Sequence, residues 1–441
     1  ASTCRLCQSE KLERAVSLGL SPVSEKYVNR DELGEPEIMV PLELYFCSSC
    51  SHVQLVDVVE PEYLWSDYTF RTGDNPALIE HFSDYASRVH AFSSFDEGDL
   101  IIDVGSNDGT LLKAWQRKGF KNVLGVDPAV DIGAEANVAG VETLIGFFDQ
   151  IMVEKILEDY GPAKLITANN VYAHCDDLIG MTQAIRSVLD QDGLFTFEAS
   201  YLLDIVEKDL IGTIFHEHLS YHSVISLQSF FFRQDMELVH VERGPEQGGS
   251  IVGYVQHRSG PWKETGTVQK LVDLERSRKL DQLTPLYAME RRLNDGKKEL
   301  QAIIRSLQEK GGKIAGFGAA RAGTTLLSFF QIGSDLEFLM DDNMNKHHKY
   351  SPGDRLEVLP TMSLYDRSPD CVVILAWIHA DKIISKHHRY LKNGGVFVRI
   401  FPTVEIVRGE RQDSGRVGGM QVLWREIISR DMELGLTTAM F

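Results

Sequence analysis

No apolar run in the sequence approaches the roughly 18 to 20 residues needed to span a bilayer. The opening stretch, "ASTCRLC", carries no apolar signal-peptide core. A soluble cytoplasmic protein is the expectation. Basic charge is also scarce, with 45 Lys and Arg against 64 Asp and Glu and a formal net charge of −19 at pH 7. A surface of that sign repels phosphate backbones and anionic lipid, so neither nucleic acid nor a membrane is an expected partner. Monomer and homodimer both stay open. Cysteine is rare, six in 441 residues, and unevenly used. Four of the six form two C-x-x-C pairs, Cys4 with Cys7 and Cys47 with Cys50, while Cys175 and Cys371 stand alone.

Apolar material is ample, 43% of residues with 25% charged, which is a globular balance. At 441 residues the chain is too long for one core, and about 100 to 200 residues per domain predicts two to four domains.

The two C-x-x-C pairs predict a structural zinc site. Each tight turn supplies two thiolates, four sulfurs complete a tetrahedron, and no position is left open for catalysis. Between the pairs the sequence alternates apolar and polar residues, as in "MVPLELYFCSSCSHVQLVDVV", predicting a small β-rich module over residues 1–65. So short a module buries little apolar area, and the metal supplies folding energy.

From residue 66 the pattern changes. Asp74 or Asn75 reads as a helix cap with Pro76 as the first helical residue. "LIIDVGSNDGTLLKAW" then passes from strand through a glycine loop into helix, and "NVLGVDPA" forms a second strand ending at Asp127. This is a nucleotide-site layout: glycines admit a close ligand, the helix N-terminus favours electron-rich groups, and the strand-end acid accepts from ribose hydroxyls. The loop is G-x-N-D-G and not the G-x-G-x-x-G of dinucleotide sites, which points to S-adenosylmethionine. Gly105, Asn107, Asp108, Gly109 and Asp127 are the candidate cofactor residues. Further strands are predicted at "LITANNVYAH", "LFTFEASYLL" and a hairpin at "ELVHVERGPEQGGSIVGYVQH", for a sheet of six or seven strands over 66–270.

Apolar positions recurring at three and four predict a long helix of about 27 residues within 271–310, stopping at Gly311-Gly312. "KIAGFGAARAGTTLLSFF" then opens a second Rossmann-like domain, 311–410, with strands at "LEFLMDDN" and "CVVILAW". The tail, 411–441, starts polar and ends in the short amphipathic run "MQVLWREIISRDMEL". The predicted class is therefore α/β, with a zinc module, a Rossmann-like methyltransferase domain and a second Rossmann-like domain.

The segment "TIFHEHLSYHS" holds His216, Glu217, His218, Tyr221 and His222. His216 and His218 could share a strand face, but no third ligand stands at useful spacing, which disfavours metal binding and leaves an ordinary polar loop or proton transfer. A neutral histidine beside a carboxylate is suited to that work.

Taken in order, the paired cysteines, "DVGSNDGTLL", "ANNVYAH", "HEHLSYHS", "QGGSIVGY" and "GFGAARAGTTLLSF" followed by "MDDNMNKHHKYSPG" resemble the three-domain nucleotide-sugar C-methyltransferases over residues 1 to 407. The resemblance implies a bound zinc, S-adenosylmethionine as cofactor, and methylation at carbon 3 of a 4-keto-6-deoxy sugar linked to a nucleoside diphosphate. It implies His218 as catalytic base, Glu217 as its neighbouring carboxylate and His174 as a further active-site histidine. It adds Phe148 and Asn169 to the cofactor site. Substrate contacts are implied for Phe70, Phe215, Tyr221, Gln247 and Gly248, and, in the last domain, for Gly316, Gly318, Arg321, Asp341, Lys346, Trp377 and His379. The chain departs from the family at several of these. Phe215 and Phe70 replace tyrosines, Gln247 replaces a histidine, Ala322 takes a lysine position beside Arg321, and Ile378 replaces an asparagine. Tyr68 or Tyr221 could restore a hydroxyl. These changes bear on the substrate more than on the cofactor. Methylation of oxygen or nitrogen on another acceptor, and nucleotide-sugar binding without catalysis, are the alternatives.

Overall fold

The computed structural model describes residues 1–65, 70–93 and 95–409; Tyr68 and the tail from 411, with its amphipathic run, lie outside them. The described chain forms two compact units that do not follow chain order. One comprises residues 1–17, 42–207 and 216–290; the other takes 18–41, 208–215 and the chain from 291.

The first sheet has strand order β1-β2-β3-β9, from β1 (Leu12–Pro22), β2 (Met39–Cys47), β3 (Val53–Leu55) and β9 (Ser220–Tyr221). β2 and β3 run antiparallel, with Phe46 opposite Val53. The fourth strand comes from far along the chain: Val53 pairs with Tyr221 and Gln54 with Ser220, antiparallel. The β-rich module is thus completed by the segment that carries the histidines, which the sequence pattern did not show.

The central sheet has order β10-β11-β8-β7-β4-β5-β6. Its strands are β4 (Ile101–Val104), β5 (Val123–Asp127), β6 (Thr143–Ile145), β7 (Ala163–Asn169), β8 (Leu189–Ser200), β10 (Met236–Gly244) and β11 (Ser250–His257). β4 through β8 are mutually parallel, and β11 is inserted antiparallel between β8 and β10. The parallel strands read as short apolar runs because helices cover both faces. Under one face Tyr85, Trp115, Phe120 and Tyr254 pack with Ile101, Leu112 and Leu165. The helix Pro76–Ser93 starts at the predicted proline, with Asn75 Oδ1 accepting from Ala77 N at 3.0 Å. Strand order reverses between β4 and β7, and ligands of open α/β sheets bind where such neighbours end.

The third sheet, order β14-β13-β12-β15-β16-β17, contains β12 (Ile314–Phe317), β13 (Leu339–Asp341), β14 (Val358–Pro360), β15 (Cys371–Ile374), β16 (Val396–Arg399) and β17 (Glu405–Arg408). All but the last are parallel, and the order reverses between β12 and β15. The predicted long helix is Thr284–Gln308, 25 residues. It ends as glycine chemistry requires: Gly311 adopts φ 73° and Gly312 N returns to Leu307 O at 3.0 Å. Among the described residues no helix is long and apolar enough to cross a membrane.

Candidate active site and cysteine cluster

Cys4, Cys7, Cys47 and Cys50 converge, all four Sγ atoms lying within 4.8 Å of one another. Cys4 and Cys50 are 3.5 Å apart and Cys7 and Cys47 3.6 Å. Tetrahedral zinc with sulfur at about 2.3 Å requires sulfur pairs about 3.8 Å apart, so the set fits the ion. The two knuckles share one construction. The residue after each second cysteine, Gln8 or Ser51, turns left-handed with φ 59° or 62°, and its N–H bonds back to Cys4 O or Cys47 O at 2.8 Å.

The glycine loop follows β4. Gly105 adopts φ 71°, and a Cβ there would fall 2.3 Å from Val171 Cγ2, so the loop after β4 packs against a side chain just past β7 at the reversal point. Gly109 is held likewise, with φ 76° and Val141 2.8 Å from a would-be Cβ. Asp127, at the end of β5, accepts Asn107 N on Oδ2 and Ala129 N on Oδ1, both at 2.8 Å. Burial lifts its pKa against those two hydrogen bonds. Each carboxylate oxygen keeps a further acceptor site.

The side chains of Asn107 and Asp108 are turned to structural work. Asn107 Oδ1 accepts Thr72 N at 2.9 Å and its Nδ2 donates to Phe70 O at 3.0 Å, while Asp108 Oδ2 accepts Gly73 N at 2.8 Å. They tie residues 70–74 across the loop, with the Phe70 ring exposed. Asn169 ends β7 with a buried carboxamide that makes no full hydrogen bond among the described residues; Tyr85 OH is a polar neighbour. Phe148 is half-buried in the loop after β6. The backbone approach at Gly105, the acceptor capacity of Asp127 and the unspent carboxamide of Asn169 fit S-adenosylmethionine.

The segment from Phe215 is a bend and turn, and strand begins only at Ser220. His216 and His218 therefore do not share a strand face, because the chain reverses between them. His216, Glu217 and His218 are 1%, 4% and 7% exposed, all withdrawn from water. The short turn Tyr172–His174 follows β7, and Leu219 N donates to Ala173 O at 2.9 Å. That bond sets the two loops edge to edge, and the rings of His174 and His218 stack with centroids 5.0 Å apart and planes at 23°. His222 lies deeper, packed beside Tyr172 and His52, with neither ring nitrogen hydrogen-bonded among the described residues. Burial, and the cost of a second charge near His218, push its pKa down to about 3, so it stays neutral. Tyr221 is buried in β9 and Phe215 is half-buried. Among the described residues the metal-competent groupings are the four cysteines and His81 with Glu198 and Glu246; the histidine segment belongs to neither.

That second grouping escaped the sequence. Its signal was an acid, Glu198, inside the apolar strand "LFTFEASYLL". Glu198 is 1% exposed; its Oε2 lies 2.6 Å from His81 Nε2, and its Oε1 accepts Ser250 Oγ at 2.7 Å. His81 Nδ1 lies 3.2 Å from Glu246 Oε1. Burial draws the imidazole down, but the hydrogen bond and charge of Glu198, with Glu246, outweigh it and leave the pKa raised. The imidazolium clamps the loop that carries Gln247 and Gly248, whose φ angles are 52° and 89°. Gln247 Nε2 in turn donates to Asn170 Oδ1 at 3.0 Å.

The other unit repeats the glycine-loop construction. Gly316 lies within β12, where a Cβ would fall 2.6 Å from the Leu339 side chain. Gly318 has φ 114° and no room for a Cβ, with Ala376 N 2.6 Å away, and Asp341 Oδ2 accepts Ala319 N at 2.7 Å. Arg321 is the first residue of the helix Arg321–Phe330. Trp377 is half-buried; its indole fills the space a Cβ on Gly212 would need, and His379 is exposed. Lys346 is already engaged: Nζ bonds Ala319 O at 2.6 Å, pairs with Glu25 at 2.8 Å and lies over the Tyr27 ring. Its charge is neutralised within the fold.

Family models match residues 4–65 as a zinc binding domain, 78–241 as a methyltransferase domain and 245–402 as a C-methyltransferase C-terminal domain. Fold, cysteine cluster and these matches define an S-adenosylmethionine-dependent methyltransferase that carries zinc. The chain is 28% identical to C-methyltransferase NovU of Streptomyces niveus over 408 residues, 92% of this chain and 97% of the relative. The three matched regions follow one another along the chain in the order zinc binding, methyltransferase and C-methyltransferase C-terminal domain. Solved structures similar to it include a SAM-dependent methyltransferase from Anabaena variabilis, at 16% identity and a TM-score of 0.37, covering 46% of this chain and all of that one. Magnesium protoporphyrin IX methyltransferase from Synechocystis is similar at 14% identity and a TM-score of 0.34, covering 44% and 92%.

Three outcomes are expected. Cys47→Ser removes about one zinc equivalent per chain by metal analysis and accelerates amide exchange across β1 to β3. Asp127→Asn weakens S-adenosylmethionine binding about 10- to 100-fold by calorimetry with zinc content unchanged. The third concerns pH. His81 has a raised folded-state pKa, so its stabilisation is complete below the unfolded value of about 6.5 and is lost as pH rises through the folded value. The Tm advantage of the parent over His81→Gln should be greatest near pH 6, at about 2 to 4 °C, and shrink toward pH 9.

Proposed function

We propose that the chain methylates carbon 3 of a nucleoside-diphosphate-linked 4-keto-6-deoxy sugar. The observation that carries this is the buried stack of His174 on His218, with Glu217 adjacent in sequence, on loops anchored beside the end of β7. A proton beside a ketone is acidic enough for a histidine base when the enolate meets hydrogen-bond donors. His218 takes that proton, His174 lies against the same ring, and Glu217 orients the base or the sugar. Bound S-adenosylmethionine supplies an electrophilic methyl group for the carbanion. Gly105, Gly109, Asp127, Phe148 and Asn169 hold the cofactor, with Asn107 and Asp108 serving through the backbone and through segment 70–74.

For the nucleotide diphosphate the second unit offers the helix start at Arg321, whose planar fork suits phosphate oxygens. Gly316, Gly318, Asp341, Trp377 and His379 surround that strand end, and Lys346 frames the loop. Phe70, Phe215, Tyr221, Gln247 and Gly248 are assigned to the sugar. With phenylalanine at 70 and 215, two hydroxyls are absent from that set, which supports a sugar with different polar contacts from the family's usual one.

His218→Ala is expected to lower kcat by about 10²- to 10⁴-fold while S-adenosylmethionine still binds. Deuterium exchange at the carbon beside the ketone should be lost with it. Exchange persisting in His218→Ala at the parent rate would sink the base assignment. Mass spectrometry of products from a panel of nucleotide-linked 4-keto sugars tests the substrate class.

A further inference from the structure

Arg5, between the cysteines of the first knuckle, is a charged residue only 3% exposed. Its backbone N–H is fixed by Gln54 Oε1 at 2.8 Å, in the strand that pairs with Ser220–Tyr221. From there the guanidinium reaches both loops that carry the stacked histidines. Nε donates to Asp176 Oδ1 at 2.9 Å, with Nη2 2.7 Å from the same oxygen, two residues beyond His174. Nη1 donates to Leu219 O at 3.2 Å, one residue beyond His218, and to Leu55 O. Leu219 is engaged on its other side as well, its N–H going to Ala173 O and its O accepting Leu55 N at 3.0 Å. A buried guanidinium carries a large desolvation cost, which is offset only by satisfying its donors. Here Nε and Nη1 each bond one of the two loops of the proposed proton-transfer pair, Nη1 is shared with Leu55 O, and Nη2 has the ion-pair contact with Asp176.

We propose that Arg5 is a positioning residue that fixes the separation of His174 and His218, so that the cysteine module sets the geometry of the base. The inference rests on the assignment of His218 above. A planar fork on a short, clamped turn can bridge a carbonyl and a carboxylate at once; an ammonium cannot match both directions. A displacement of about 1 Å at a reacting group is enough to cost about 10²-fold in rate.

The test uses the full zinc-loaded chain and the nucleotide-linked 4-keto-6-deoxy sugar that the panel shows to be turned over. Arg5→Ala should lower kcat about 10- to 100-fold with KM within about twofold, leaving zinc content and the S-adenosylmethionine-induced rise in Tm unchanged. Asp176→Ala should lower kcat in the same sense, and the double variant should fall little further than Arg5→Ala alone. Arg5→Lys should recover part of the loss. Independently of activity, amide exchange at Leu219 should accelerate about tenfold or more in Arg5→Ala, with Asn107 and Ala129 unaffected. The proposal is overturned if Arg5→Ala keeps its zinc and the parent kcat, or if its loss of rate tracks loss of zinc or of cofactor binding. Should Arg5→Ala not fold, Asp176→Ala decides alone: an unchanged kcat overturns the idea and a reduced one with zinc retained supports it. If His218→Ala is inactive while the Arg5 and Asp176 variants are normal, only this inference fails. If His218→Ala stays active, the base assignment itself falls.

Discussion

The backbone hydrogen bond from Leu219 N to Ala173 O is the constraint on which the candidate site depends. It joins a turn at the end of β7 to a turn leading into β9, two segments with little regular structure of their own. Without a fixed partner such loops sample many conformations, and ordering them costs about 1 to 2 kcal/mol per residue in backbone entropy. The protein meets that cost by pinning Leu219 on three sides: Ala173, Leu55 and the Arg5 guanidinium. The histidine stack follows from this anchoring, and so does the dry setting of His216, Glu217 and His218.

A second device recurs in both Rossmann-like sheets. In each, an acid closing the second strand accepts the N–H of a residue in the first strand's glycine loop, Asp127 from Asn107 and Asp341 from Ala319. The same carboxylate also takes the N–H two residues on, Ala129 or Asn343. In each, a left-handed glycine leaves no room for a Cβ beside the segment just past the strand across the reversal point, Gly105 at Val171 and Gly318 at Ala376. The acid thus shapes the loop before any ligand arrives, and what remains of its acceptor capacity is already aimed.

How far the sequence disclosed this depended on how local the physics was. The cysteine cluster was legible because tetrahedral valence and two tight turns fix four residue types at fixed spacing. Both glycine loops, the Pro76 helix start and the Gly311 helix stop were legible for the same reason, each being settled within a few residues. Ser220–Tyr221 was not, since a two-residue strand has no period and its partner lies 168 residues back. The clamp of His81 by Glu198 and Glu246 joins three separate elements, and only the acid inside an apolar strand hinted at it. Lys346 stands among the implied substrate contacts, and only the structure brings Glu25, from a distant segment, beside it. Asn107 and Asp108 are candidate cofactor residues by their place in the loop, but that their side chains bond the 70–74 segment could not be read from the sequence.

The pairing of Val53 with Tyr221 also governs how the protein can be assembled. As the chain emerges, both cysteine knuckles are complete by residue 50, yet the edge of β3 stays bare until Ser220 is available. An unpaired strand edge is a template for association with other chains. During synthesis the N-terminal module is therefore exposed for the time taken to make about 170 further residues, and a fragment cut near residue 65 would keep that open edge permanently.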